Sequence, residues 1–129
     1  MLVDEGELER VRAVVRSWVL EWSDPDPWEV RMVVTTGDAG MAALYGPGVG
    51  SVPEVRYLVV LRGMFLKRGE DGGPDRSGEW AALFLNPVCM RVAGYTVRPL
   101  DAIPELRLED LGPVHHLDGP GQFRGRGDA

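Results

Sequence analysis

Near the start of the chain, apolar residues return every three or four positions. Leu8, Val11, Val15, Trp18 and Trp22 make one stripe, which Val14 and Val19 widen. This spacing predicts an amphipathic helix over residues 5–22. Asp4 stands at its N-cap position, and Glu5, Glu7 and Glu9 lie near the positive end of the helix dipole. The run Ser23-Asp24-Pro25-Asp26-Pro27 stops the helix, because neither proline donates a backbone hydrogen bond.

The period then changes from about 3.6 to 2. Over residues 28–35, Trp28, Val30, Met32 and Val34 share one face, with Glu29, Arg31, Val33 and Thr35 on the other. Thr36-Gly37-Asp38 caps a short helix through Met41–Tyr45, which Gly46 stops, and residues 46–53 form a loop. The longest β-like run is 55–66, apolar on both faces in its middle and hence a central strand covered from both sides. Gly63 marks a bulge or bend there. Residues 67–78, polar and rich in glycine, read as a mobile connection. Strands over 79–85 and 91–98 flank the turn Asn86-Pro87-Val88-Cys89-Met90 and make a hairpin. Beyond Pro99, Leu106, Leu108, Leu111, Val114 and Leu117 anchor an irregular segment, with His115 and His116 in a solvated loop.

These elements predict one α+β domain over residues 1–118, with a flexible tail over 119–129. One long N-terminal helix packs on a curved antiparallel sheet of about four strands, and a short extra helix is added. The sheet cannot be parallel throughout, because the last two strands leave no room for a crossover helix. Val15, Trp18, Val59 and Leu83 are the expected core.

The run Val55-Arg56-Tyr57-Leu58-Val59-Val60-Leu61-Arg62-Gly63-Met64-Phe65, a variable loop, the hairpin through Asn86-Pro87 and the later Leu111-Gly112-Pro113-Val114 carry a resemblance. They are similar to small actinobacterial proteins of PepSY-like, cystatin-like type, at the level of pattern over residues 28–117. Those proteins carry a turn Asp-Pro-x-Thr-Gly between the last two strands. This chain keeps the opening of that turn and lacks its threonine and glycine. The resemblance implies a cystatin-like fold and a binding or peptidase-regulating module, with no catalytic residues to transfer.

Charge narrows the partners. Fourteen basic against 20 acidic residues leave a net charge of −6, the wrong sign for a protein whose main partner is nucleic acid. Lys67 is the only lysine, which suggests the arginine bias of a GC-rich bacterial genome. The acidic start Met1-Leu2-Val3-Asp4-Glu5 is unlike a secretory leader, and no apolar run reaches the roughly 20 residues of a membrane span. The chain as written therefore reads as cytoplasmic and not membrane-inserted. An exported chain with its leader already removed would read the same.

Candidate chemistry is sparse. Cys89 excludes an internal disulfide, and its only nearby cation in sequence is Arg91. His115 and His116 are adjacent, which suits a shared metal poorly, and no Gly-x-Ser-x-Gly turn supplies a nucleophile. Gly46-Pro47-Gly48-Val49-Gly50-Ser51 lacks the lysine of a phosphate loop. Arg126-Gly127-Asp128 is a chance-level match to an adhesion tripeptide. The acidic pairs Asp24/Asp26, Glu70/Asp71 and Glu109/Asp110 sit in polar loops as solvated charge, with no calcium-loop spacing. No catalytic set, metal or cofactor is expected.

Two function classes follow. The first is a non-enzymatic module that binds a protein or peptide, or weakly self-associates. Strand 28–35 is then the exposed edge, and Met41, Leu44 and Tyr45 are contact residues within 36–53. The second is a small-molecule pocket protein of the nuclear-transport-factor-like, cone-shaped kind, with Trp80, Phe84 and Tyr95 lining the pocket. A filled core around those three favours the first class.

Overall fold

The computed structural model describes residues 3–22, 27–46, 53–69, 72–102 and 106–117. The domain boundary at 118 and the tail over 119–129 lie outside the described residues, as do most of the 46–53 loop, Asp24, Asp26, Glu70, Asp71 and Arg126–Asp128.

Helix α1 spans Glu5–Glu21. The Asp4 carboxylate accepts from the Glu7 amide at 2.8 Å, so the expected cap is formed. Leu8, Val11, Val15, Trp18, Val19 and Trp22 are all buried, so the stripe faces inward along its whole length. At the far end the Leu66 amide donates to the Trp22 carbonyl at 2.9 Å, tying the helix terminus to the sheet.

The sheet is antiparallel, with β1 Glu29–Thr36, β2 Val55–Lys67, β3 Arg76–Asn86, β4 Arg91–Arg98 and β5 Val114–His116. Their order across the sheet is β4-β3-β2-β1-β5. Among the described residues five strands are therefore present, one more than the pattern predicts, on the α+β plan it predicts. Strand β2 is central, and a register shift between Arg62 and Phe65 places a bulge at Gly63 and Met64. Strand structure takes in both ends of the expected mobile connection 67–78, because β2 runs through Lys67 and β3 begins at Arg76.

Each face of the sheet carries its own core. On one, α1 covers Val30, Met32, Tyr57, Val59, Leu61, Ala81, Leu83 and Leu85. On the other, Val33, Leu58, Val60, Trp80, Ala82 and Phe84 are sealed by Leu44 and Leu108. Leu44 comes from helix α2, Gly37–Tyr45, capped by Thr36 and ended at Gly46 with φ 95°. Leu108 comes from a short 3₁₀ turn, Leu108–Asp110. The sheet is thus covered on both sides. Two glycines permit close approaches, Gly40 between α2 and the sheet and Gly78 between β3 and the end of β4. A Cβ on Gly40 would lie 2.5 Å from Phe84 Cε1, and one on Gly78 would lie 2.4 Å from the Arg98 carbonyl oxygen.

Three expectations need correction. Strand 28–35 is not the edge: β5 pairs with β1 through Arg31–His116, Met32–His115 and Val33–Val114. The histidines therefore lie in a strand and not in a solvated loop. Trp28 does not share the buried face of Val30 and Met32; it precedes β1 and is 56% exposed.

Tyr57 joins helix and sheet by donating its hydroxyl to Glu7 Oε2 at 2.8 Å. Burial first, and the Glu7 carboxylate second, push its pKa up to about 12. The folded state thus favours the neutral phenol. Its contribution to stability is whole below the ordinary value of 10.0 and is lost as pH rises through about 12. Tyr57→Phe is expected to cost about 1 kcal/mol at neutral pH and to flatten this alkaline decline. Urea unfolding across that pH range measures both.

Candidate functional site

The expected pocket residues do not meet. Trp80 and Phe84 are buried in the second core, against Leu44 and Leu108. Tyr95 lies on the α1 side, 43% exposed and opposite Leu83 in the ladder. The cause is a bulge. The pairs Leu85–Val92 and Phe84–Gly94 leave Ala93 unpaired, which shifts the rest of β4 by one residue. An unbroken hairpin would set Tyr95 opposite Ala82, on the face of Trp80 and Phe84.

The expected contact residues also separate. Leu44 is core, Met41 packs half-buried against the same cluster, and Tyr45 alone is exposed. The Arg98 guanidinium sits 4.8 Å from the Tyr45 ring centroid and 5.7 Å from that of Trp80. This cation holds the end of α2 against the sheet. Residues 36–46 therefore act mainly as a cover for the second face.

A different surface emerges between the second half of α1 and β4. Val14, Ser17, Trp18, Glu21 and Trp22 form one wall, and Val92–Tyr95 the other, with Lys67 at the end. The groove encloses about 470 Å³ and is open to solvent. Its floor is aromatic. Trp18 and Trp22 stack at 5.4 Å, and Tyr95 presents its edge to them at 5.9 and 5.8 Å. Phe65 meets Trp18 edge-on from beneath at 5.6 Å. Lys67 Nζ lies 5.7 Å from the Trp22 ring centroid.

This groove borders a free sheet edge. Among the described residues, β4 has a single strand neighbour, β3. Its outer backbone groups therefore face solvent, in a form that another strand can pair with. Sequence periodicity pointed to α1's stripe as core without showing that an open groove is left between its last turns and β4. The signal was Tyr95 itself, an aromatic on a strand whose neighbours are small or polar.

The remaining candidates are dispersed. A smaller cleft of about 370 Å³ at the β2–β3 end is lined by Lys67, Arg68, Gly69, Gly73, Pro74 and Arg76. Cys89 is exposed in the β3–β4 turn, while Glu109 and Asp110 are exposed. His115 Nε2 is buried without a hydrogen-bond partner. Among the described residues no three His, Cys, Asp or Glu side chains gather as a metal site, and no helix is long and apolar enough to cross a membrane. The chain matches no family model, and no curated protein or solved structure matches it.

Proposed function

We propose that this protein is a non-enzymatic module that binds an extended segment of a protein partner along the groove between α1 and β4. The observation that carries this is the juxtaposition of an unpaired strand edge with an open groove in which Tyr95 is exposed, backed by the buried Trp18 and Trp22. Strand addition takes affinity from backbone hydrogen bonds to an edge and specificity from pockets for alternate side chains. Here β4 supplies the edge, while the exposed Tyr95 and the half-buried Val14 and Val92 supply the contact surface over the buried Trp18 and Trp22. Aromatic side chains suit such a role, since they offer large contact areas with few rotatable bonds. The likeness to PepSY-like, cystatin-like binding modules supports the same function. The filled second face, where Trp80 and Phe84 are already covered, weighs against a ligand pocket at that place.

A direct test uses a synthetic extended peptide of alternating threonine and valine with a central phenylalanine, followed by tryptophan fluorescence. The expected result is a saturable change with a Kd below about 1 mM, accompanied by slowed amide exchange at residues 94–98. Tyr95→Ser is expected to weaken this binding with the far-ultraviolet circular dichroism unchanged, because Tyr95 is 43% exposed. Peptide binding that protects β1 or β5 and leaves β4 exchanging freely would move the site elsewhere.

A further inference from the structure

The chemistry of the partner segment can be taken one step further, an inference that rests on the groove proposed above. The two faces of β4 differ. Register places Val92 opposite Leu85, Tyr95 opposite Leu83 and Val97 opposite Ala81, all on the α1 side. Arg91 pairs with Asn86, and Arg98 with Trp80, on the opposite side. Both ends of the edge strand thus carry a cation on the face away from α1. Among the described residues neither arginine has a carboxylate partner. Arg98 contacts Thr96 and the rings of Tyr45 and Trp80 instead.

We infer that the partner is an extended segment of another protein, carrying carboxylates toward Arg91 and Arg98 and a bulky apolar residue toward the exposed Tyr95 and the half-buried Val14 and Val92. Directly opposed side chains on neighbouring antiparallel strands share a face, so opposite charges meet there and like charges repel. The α1 side of the groove offers the acids no net attraction, because Glu21 and Lys67 both line it. An alternating segment satisfies both sides at once: apolar where it meets Tyr95, acidic where it meets the arginines.

The same pattern disfavours a second copy of this chain. Full-length antiparallel pairing of β4 with itself would set Arg91 of one copy against Arg98 of the other, and the two-fold would repeat that clash. The net charge of −6 makes this basic edge a local exception on an acidic protein. Its attraction for carboxylates therefore acts at short range, within a screening length of about 10 Å at 0.1 M salt.

The experiment compares three synthetic peptides with one apolar core and flanking glutamates, glutamines or lysines, each titrated against the full chain by calorimetry. The glutamate peptide is expected to bind about tenfold more tightly than the glutamine peptide, and the lysine peptide most weakly. Raising the salt to about 1 M is expected to remove most of that preference. In Arg91→Gln the preference falls to about threefold, with Arg98 still in place. Equal affinity for all three peptides would overturn the inference and leave the groove proposal standing. Failure of all three to bind would overturn both. Tyr95-dependent dimerisation of the chain by sedimentation, with no peptide bound, would assign the edge to a second copy and also overturn the inference.

Discussion

Trp18→Ala is expected to lower the unfolding free energy by about 3–5 kcal/mol. The side chain is 6% exposed and stands where four aromatic rings meet, against Trp22, Phe65 and Tyr95. A buried aromatic of this size hides about 150–250 Å². At about 25 cal/mol per Å², that burial is worth about 4–6 kcal/mol. Partial collapse of the three neighbouring rings into the gap brings the expected loss to the lower figure. The substitution takes a large share of a typical domain stability of about 5–15 kcal/mol. Trp28→Ala is the matched control: at 56% exposure, this tryptophan is expected to cost under about 1 kcal/mol. Urea unfolding of both variants decides the matter. A cost below about 1 kcal/mol for Trp18 would mean that the α1 stripe does not pack on the sheet.

That pair of tryptophans also shows which parts of the fold periodicity can reach. The stripe Leu8, Val11, Val15, Trp18, Trp22 was legible because a helix repeats its buried face over four turns, so each position corroborates the others. Trp28 had no such support. It stands at the mouth of β1, where one donated bond to the Arg62 carbonyl at 2.9 Å holds the backbone while the ring turns to solvent. The central place of β2 was legible from its two apolar faces. Strand β5 was not, since three residues after Pro113 are too few to establish a period. Their pairing is decided by the free edge of β1.

The candidate site was less legible than the fold, for a reason that lies in β4. Alternation tells which residues share a face only while the ladder is unbroken. Ala93 breaks it, and one unpaired residue carries Tyr95 from the Trp80 side to the Trp18 side. An expected pocket of Trp80, Phe84 and Tyr95 thereby becomes two unrelated surfaces. One is closed by α2 and the 3₁₀ turn, and the other is left open beside α1. Nothing in the spacing of residues 91–98 announces the bulge, because small Ala93 and Gly94 fit either face.

Leu108→Ala is the second substitution with a large expected effect, about 2–5 kcal/mol. The residue is fully buried against the cluster of Val33, Leu58, Val60 and Trp80. Its own element gives it little help, since Leu108–Asp110 is a three-residue turn whose N-cap, Arg107, makes no side-chain capping bond. The segment must therefore be held by what its side chain buries. Losing that anchor also loosens β5, which follows four residues later and meets β1 over three pairs. The Leu117 amide, bonded to the Val30 carbonyl at 2.8 Å, belongs to the same unit. Hydrogen exchange should then accelerate first at Leu117 and along β5, while β2 and β3 stay protected. Leu111→Ala, at a half-buried position on the same stretch, is expected to do less. If Leu108→Ala cost under about 1 kcal/mol with β5 unchanged, the second face would not depend on this cover. The second face would then be held chiefly by Leu44 and the rest of α2.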